Sequence, residues 1–226
     1  MISVIIPVYN NQDTLCELNN EIESALGDIR EEFEIIYIND ASTDNSSSIL
    51  NEILSKNSRI IVINNRRNDG QNNSILTGLK NSSGEKIVVL DADLQDQPKY
   101  IPILIHKLKS PFDIVFALRA GSYESISRLY ESRLFKFIVY MLTGLPVSAG
   151  TYFVISQIAK EKLLRYKFQY PYITIMLVCS KLRFTGVGVI RNKRTSQGSS
   201  YTFMNRLKLA FWCFYCLFYI KFFDKR

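Results

Sequence analysis

Apolar positions along this chain fall into short runs divided by polar turns, and their period switches repeatedly between strand and helix. Ile2–Val8 (ISVIIPV) is a β-branched run that reads as a buried strand, followed by a polar turn at Asn10–Asp13. Thr14 with Glu17 three residues on has the form of a capping box, opening a helix to about Leu26. Phe33–Ile38 is a second strand, ended by the polar stretch Asn39–Asp44; Ile49, Leu50, Ile53 and Leu54 then mark a helix. Arg59–Ile63 predicts a third strand, Ile75, Leu76 and Leu79 a short helix, and Lys86–Leu90 a fourth strand ended by Asp91. Pro98 suits the first turn of a helix to about Leu108, and Asp113–Leu118 reads as a fifth strand.

Strands alternating with helices imply an α/β fold with a mainly parallel, Rossmann-like sheet and helices on both faces. Parallel neighbours need crossovers, which are right-handed by strong default. Ligands in such sheets sit at the carboxyl ends of the strands. Three of those ends carry polar clusters: Tyr9-Asn10, Asn39-Asp40 and Asp91-Ala92-Asp93.

After Glu124 the pattern changes. Ile126–Leu142 reads as a helix broken by Gly144 and Pro146, followed by a strand at Tyr152–Ile155, a helix near Ala159–Leu164 and a strand at Phe184–Ile190. Arg191–Ser200 is polar and basic, and Tyr201–Phe223 reads as one more helix. Within it, Leu209–Ile220 (LAFWCFYCLFYI) carries no charge, while Arg206, Lys208, Lys221, Lys225 and Arg226 flank it. A bilayer span needs about 20 apolar residues. This shorter, aromatic, basic-edged run fits an interfacial helix, although apolarity on all faces also suits a buried helix.

Charge sharpens the division. Up to Glu131 there are 12 Lys and Arg against 19 Asp and Glu; from Ser132 onward 16 Lys and Arg face only Glu161 and Asp224. A basic surface can meet nucleic acid, phosphates or an anionic membrane, and the adjoining aromatic tail favours the membrane over nucleic acid. With 47% hydrophobic and 22% charged residues among 226, the chain has the composition of a globular protein and not of a disordered one. Cys16, Cys179, Cys213 and Cys216 are too scattered for a disulfide framework. Cys213 and Cys216 have the spacing of half a zinc site, but no second pair exists and His106 is the single histidine, so helix packing is the expectation.

Asp91 and Asp93 are the centre of the chemical reading. Two carboxylates two apart at a strand end can share one Mg²⁺ or Mn²⁺, ions that take oxygen ligands and commonly bind carboxylates together with substrate phosphates. Such an ion would neutralise a diphosphate leaving group. The same spacing also describes exposed turn aspartates. Asp40, at the second strand's end, can accept hydrogen bonds from a base or ribose, or serve its own turn.

Four segments in register now carry a resemblance. Ile5-Ile6-Pro7-Val8-Tyr9-Asn10, Asn39-Asp40-Ala41-Ser42-Thr43-Asp44, Asn68-Asp69-Gly70-Gln71 and Asp91-Ala92-Asp93-Leu94-Gln95-Asp96 resemble successive signatures of family-2 glycosyltransferases. In appearance the chain is similar to the polyprenyl-phosphate subgroup, of the dolichol-phosphate mannose synthase and bactoprenol glucosyltransferase kind, and to small transferases of bacterial surface-polysaccharide assembly. Arg194…Gly198-Ser199-Ser200-Tyr201 resembles that subgroup's Arg…Gly-X-Ser-Lys/Asn-Tyr element. The resemblance implies a GT-A fold and an inverting transfer. It places Pro7, Tyr9 and Asp40 around the nucleotide base, Asp91, Asp93 and Gln95 at the metal and diphosphate, and Arg119, Arg128 and Arg194, with Ser200, near phosphates. Two positions depart from the pattern: Asn11 stands where an acid is common, and Gly150-Thr151-Tyr152-Phe153 replaces a Gly-Asp-Phe-Arg-like element.

Transfer to a sugar hydroxyl normally needs a general base. Between Glu131 and Glu161, and from Lys162 to Phe223, this chain has no acid. A phosphate acceptor is already an anion and is drawn to Arg and Lys, so the expectation is transfer from a nucleotide-diphosphate sugar to a polyprenyl phosphate. The alternative is the hydroxyl of a lipid-linked saccharide with Glu131 as base; a different class again is a nucleotide-binding module with lapsed chemistry. The expected organisation is a catalytic domain over 1–200, with a nucleotide-sugar half to about 120 and an acceptor half beyond, plus a tail over 201–226. No basic leader precedes the first strand, so the expected location is cytoplasmic, peripheral on the inner face of the membrane.

Overall fold

A computed structural model describes residues 1–27, 29–120, 137–192 and 203–223. Its centre is a seven-stranded sheet in the order β3-β2-β1-β4-β6-β5-β7. The strands are β1 (Ile2–Val8), β2 (Phe33–Asn39), β3 (Ile60–Asn64), β4 (Lys86–Val89), β5 (Ile114–Ala120), β6 (Ala149–Ser156) and β7 (Phe184–Ile190). The first four pair in parallel, as do β5 and β7, and β6 runs antiparallel between β4 and β5. The reversed strand has a consequence for the site: its amino end reaches the edge where the other strands present their carboxyl ends.

Helices cover both faces, so β1 reads as an apolar run interrupted only by Ser3, and every one of its residues is buried. On one face Ile2, Val4, Ile6 and Val8 meet α1 (Leu15–Gly27), α2 (Ser46–Lys56) and α4 (Ile101–Lys107), through residues such as Leu18, Ile22, Leu50 and Leu104. On the other, Ile5, Ile36, Ile38 and Val89 pack with α3 (Gln71–Asn81), α6 (Gln157–Arg165), α7 (Ile173–Cys179) and α8 (Phe203–Phe223). A helical stretch over 137–143, α5, adds Val139 to this second core.

Three details differ from the sequence reading. The Thr14 hydroxyl lies 2.6 Å from the Ala92 carbonyl and 3.1 Å from that of Asn11, tying the start of α1 to the loop after β4. Helix α7 has the sequence ITIMLVC, whose β-branched run carries no helix signal; burial against β6 and α8 overrides its propensity. Strand β6 begins at Ala149, three residues before Tyr152, because β5 supplies it a partner there.

Helix α8 is docked rather than free. Cys213, Cys216, Leu217 and Ile220 are buried in the second core, and no cluster of three or more His, Cys, Asp or Glu placed to hold a metal ion occurs among the described residues. Burial pushes the Cys213 thiol up to about 12 and the Cys216 thiol up to about 11, as expected of packing cysteines. The opposite side shows Phe211, Tyr215, Phe218, Tyr219 and Phe222 to solvent. Among the described residues no helix is long and apolar enough to cross a membrane.

Candidate functional site

The carboxyl edge of the sheet is built from three loops that hold one another. After β1, the Asn10 side-chain oxygen accepts from the Thr43 amide at 2.8 Å, the Asn10 amide donates to Ser42 Oγ, and the Asn11 amide donates to Ser46 Oγ. Gln12 donates from its amide to Asp44 and accepts from the Asn45 amide. Burial works against the Asp44 charge, yet the hydrogen bonds from Ser46 and Gln12 outweigh it and hold the carboxyl below its ordinary value. Asn11, where an acid was expected, uses its side-chain oxygen on the Tyr9 amide at 3.1 Å. Three residues in the left-handed region, Asn10, Ala41 and Leu94, stand one on each of these loops. Such strain persists where surrounding contacts over-determine the backbone, and it collects at functional sites.

Pro7 is buried in β1 and Tyr9, just beyond it, is exposed. Asp40 is buried at the end of β2, and its carboxylate accepts from Asn65 Nδ2 at 2.8 Å, the Asp69 amide at 3.0 Å and the Gly70 amide at 2.8 Å. It therefore shapes the loop leading into α3. Gly70, with φ of 85°, supplies a turn that a side chain would strain.

Gln71, first in α3, reaches Asp91 Oδ1 from that loop at 2.5 Å. Thr151 donates to the same carboxylate, 2.7 Å from Oδ1 and 2.8 Å from Oδ2. The reversed strand places it there: Phe153 pairs with Val89, so Thr151 lies alongside Asp91 two residues further on. Arg119, near the end of β5, stands 3.3 Å from Asp91 and forms a fork onto Asp96, with Nε at 3.1 Å and Nη2 closer still. The guanidinium lies against Gly150, where a Cβ would come within 2.5 Å of Arg119 Cζ. Burial opposes the Arg119 charge, but Asp96 and Asp91 more than offset it and raise its ionisation point. Burial likewise pushes the Asp96 carboxyl above its ordinary value, against the pull of Arg119.

Asp93 Oδ1 accepts from the Gln95 amide at 3.2 Å, closing the turn after β4. Gln95 is buried and directs its amide toward the Asn192 carbonyl, while the Asn192 amide donates to the Gln95 carbonyl at 2.9 Å. Gln97 donates to the Ile190 carbonyl at 2.8 Å, and Arg191 pairs with Asp96 both by a backbone bridge and at 3.4 Å through Nε. The loop carrying the paired aspartates is thus fastened to the strand end from which the basic segment departs.

The structure brings Asp40, Asp91, Asp93, Gln95 and Arg119 to one edge, with Pro7 and Tyr9 at the neighbouring strand end. Glu131, Arg128, Arg194 and Ser200 lie outside the described residues. Sequence reasoning assigned no role to Gln71, Asp96, Thr151 or Arg191. Gln71 and Asp96 stand inside the quoted segments, and Thr151 stands in the element noted as departing from the Gly-Asp-Phe-Arg-like pattern, whereas Arg191 comes from a distant strand end and carries no local signal.

The donor set suits a divalent cation shared with a ligand. Asp91, Asp93 and the Gln95 side chain offer hard oxygens, and the described residues supply too few carboxylates for a cage of their own, so phosphate oxygens and water would complete the shell.

Comparison with known proteins gives the same assignment. The model of "Glycosyl transferase family 2" matches residues 3–176. An undecaprenyl-phosphate 4-deoxy-4-formamido-L-arabinose transferase from Yersinia pestis (strain Pestoides F) is 32% identical over 221 residues, covering 96% of this chain and 67% of the relative. Glucosyl-3-phosphoglycerate synthase from Mycobacterium tuberculosis, solved with Mn²⁺, UDP and phosphoglyceric acid, superposes with a TM-score of 0.68 at 18% identity, covering 97% of this chain and 78% of the other. A mannosyltransferase from Pyrobaculum calidifontis, solved with GDP-mannose and Mn²⁺, gives 0.63 at 16% identity over 87% of this chain and 57% of the other. At these identities the two structures establish the shared fold.

Proposed function

The chain belongs to glycosyl transferase family 2, and from that premise we propose that it moves a sugar from a nucleoside diphosphate to a polyprenyl phosphate at a membrane surface, in the assembly of a cell-surface glycan. It is a glycosyltransferase of GT-A fold. The acceptor is the part of the reading that this chain's own residues carry.

The single supporting observation is a reaction edge whose acceptor side, among the described residues, has cations and no acid placed to act as a base. Asp91 and Asp93 follow β4, and the strands that complete the edge bring Arg119 to Asp91 and Arg191 to Asp96 on the same loop. Among the described residues beyond Ala120 the one acid is Glu161. It is exposed on α6, whose neighbouring Lys160 reaches the Ser82 carbonyl just before β4, at the far edge of the sheet. A hydroxyl acceptor would need its proton removed; a phosphate oxygen arrives already charged. The lipid phosphate would attack the anomeric carbon opposite the leaving diphosphate, and the sugar configuration would invert.

The nucleotide half holds the donor. Tyr9 and the Asp40-shaped loop frame the base and ribose, and Asp91, Asp93 and Gln95 face the diphosphate. Asp91 and Asp93 would hold a Mg²⁺ or Mn²⁺, which would supply positive charge to the departing diphosphate. Relatives of known structure that share the fold were solved with Mn²⁺ and a nucleotide, which supports a divalent ion here. Arg128, Arg194 and Ser200 belong to the acceptor side in this reading, and Glu131 would become the base only if the acceptor were a hydroxyl.

Membrane contact follows from α8. Phe211, Tyr215, Phe218 and Phe222 fall within roughly 60° of one another around the helix, opposite the buried Cys213, Cys216 and Ile220. The sequence of the helix contains no acid and includes Arg206, Lys208 and Lys221, the composition of a helix that meets anionic lipid. Phe137, Tyr140, Met141 and Leu142 on α5 expose further apolar surface on the same side of the sheet. A nucleotide-sugar donor places this surface on the cytoplasmic face. The test is a panel of nucleotide sugars offered with Mg²⁺ and polyprenyl phosphate: lipid-dependent release of nucleoside diphosphate supports the reading, and no release from any donor removes it.

A further inference from the structure

Asp91 is braced by three donors of two kinds. Gln71 and Thr151 are neutral: they fix the carboxylate in place without cancelling its charge. Among the described residues Arg119 is the cation in contact with it, and it does not close on Asp91. Its two-pronged side, Nε and Nη2, is taken by Asp96, which leaves one contact of 3.3 Å to Asp91. Asp96 is fully buried, so this pairing is held in a setting where charge interactions are strong. The cation is also confined from behind, because its guanidinium occupies the space that a side chain at Gly150 would fill.

We propose that Asp96 is a positioning residue for the Asp91–Asp93 centre, holding the Arg119 guanidinium in a fork so that Asp91 keeps its negative charge for the divalent cation. The proposal rests on the reading of Asp91 and Asp93 as cation-binding carboxylates. Fork pairing of a guanidinium with a carboxylate is directional and roughly twice as strong as a neutral hydrogen bond. Two acids compete for one arginine here, and the geometry of β5 awards the fork to Asp96. Remove that acid, and the same guanidinium lies within a small rotation of Asp91. The pair would then close, and a carboxylate spent on an arginine is a poor ligand for a metal. Arg191 cannot take over from Asp96: it carries the same charge as Arg119, and its Nε, 3.4 Å from Asp96, lacks a hydrogen-bond partner of its own.

The experiment is Mn²⁺ binding to the full chain without nucleotide, read from the electron paramagnetic resonance signal of free Mn²⁺. Asp96→Asn is expected to weaken binding about tenfold, Arg119→Gln to strengthen it by about threefold, and the double variant to regain most of what Asp96→Asn lost, as follows from an arginine charge shifted toward or away from the ligand. A purely structural role for Asp96 would leave the double variant no better than Asp96→Asn. Should Asp96→Asn fail to fold, the sign for Arg119→Gln still decides: weaker binding than the unaltered chain overturns the proposal alone. Absence of Mn²⁺ binding by the unaltered chain both without nucleotide and with nucleoside diphosphate, whose phosphate oxygens complete the shell, overturns the cation reading and the proposal with it.

Discussion

The Thr151 hydroxyl stands 2.7 Å from one oxygen of Asp91 and 2.8 Å from the other, so a single proton is shared across the face of a carboxylate. An acid at this position would set two negative charges side by side; threonine replaces that repulsion with a hydrogen bond. Thr151→Val keeps the shape and removes the donor. Loss of a hydrogen bond to a charged group costs about 1.5–3 kcal/mol. Nucleoside diphosphate affinity is expected to fall about tenfold, because Asp91 loses its fixed orientation. Calorimetric titration that finds wild-type affinity would show that Gln71 and Arg119 suffice.

Asp93 carries the plainest expectation. It lies on the turn two residues beyond Asp91, with one oxygen accepting from the Gln95 amide. Asp93→Ala should reduce transfer by at least about a hundredfold while the melting temperature stays within a few degrees, since removing charge stabilisation of a leaving group has that scale. Full turnover by this variant, or in excess chelator, would remove the divalent ion from the account.

Asp40 tests the nucleotide side. Its carboxylate is the acceptor for the Asp69 and Gly70 amides, so Asp40→Ala leaves two backbone donors without a partner and loosens the loop that delivers Gln71. The expected stability loss is about 2 kcal/mol, within the cost of unsatisfied polar groups. Donor affinity should suffer more than that. An unchanged dissociation constant for nucleoside diphosphate would reduce Asp40 to a former of its own loop.

How much of this was legible beforehand depends on range. The strands β1, β2 and β4 were readable because helices cover both their faces, which forces nearly continuous apolar runs. The polar residues at their ends marked the site for the same reason: the apolar pattern stops where the sheet meets solvent. Packing of Cys213 and Cys216 was also foreseeable from the lack of further ligands. What could not be read is what distant strands contribute. Thr151 meets Asp91 across 60 residues because β6 is inserted in reverse, and Arg191 meets Asp96 because β7 pairs with β5. No local pattern encodes either crossing. Helix α7 was missed because propensity speaks against ITIMLVC and only its tertiary neighbours speak for it.

The membrane contact is best tested by point substitution. Ending the chain before α8 would also strip Cys213, Cys216, Leu217 and Ile220 from the second core, mixing unfolding with loss of binding. Phe211→Ser, Phe218→Ser and Phe222→Ser together alter only exposed positions. Sedimentation with vesicles rich in anionic lipid is expected to drop at least about tenfold, since each buried aromatic is worth about 1.5–3 kcal/mol. Equal sedimentation of the triple variant and the unaltered chain would place the lipid contact elsewhere or nowhere.

The central claim is the acceptor, and a paired transfer assay addresses it most directly. The same nucleotide sugar is offered once with polyprenyl phosphate and once with a polyprenyl-diphosphate-linked sugar, and lipid-linked product is measured in each. Product with polyprenyl phosphate, undiminished in Glu131→Gln, is the expected result, because a phosphate oxygen needs no base. Product only from the lipid-linked sugar, lost in Glu131→Gln, would contradict the account and assign the chain to hydroxyl transfer with Glu131 as its base.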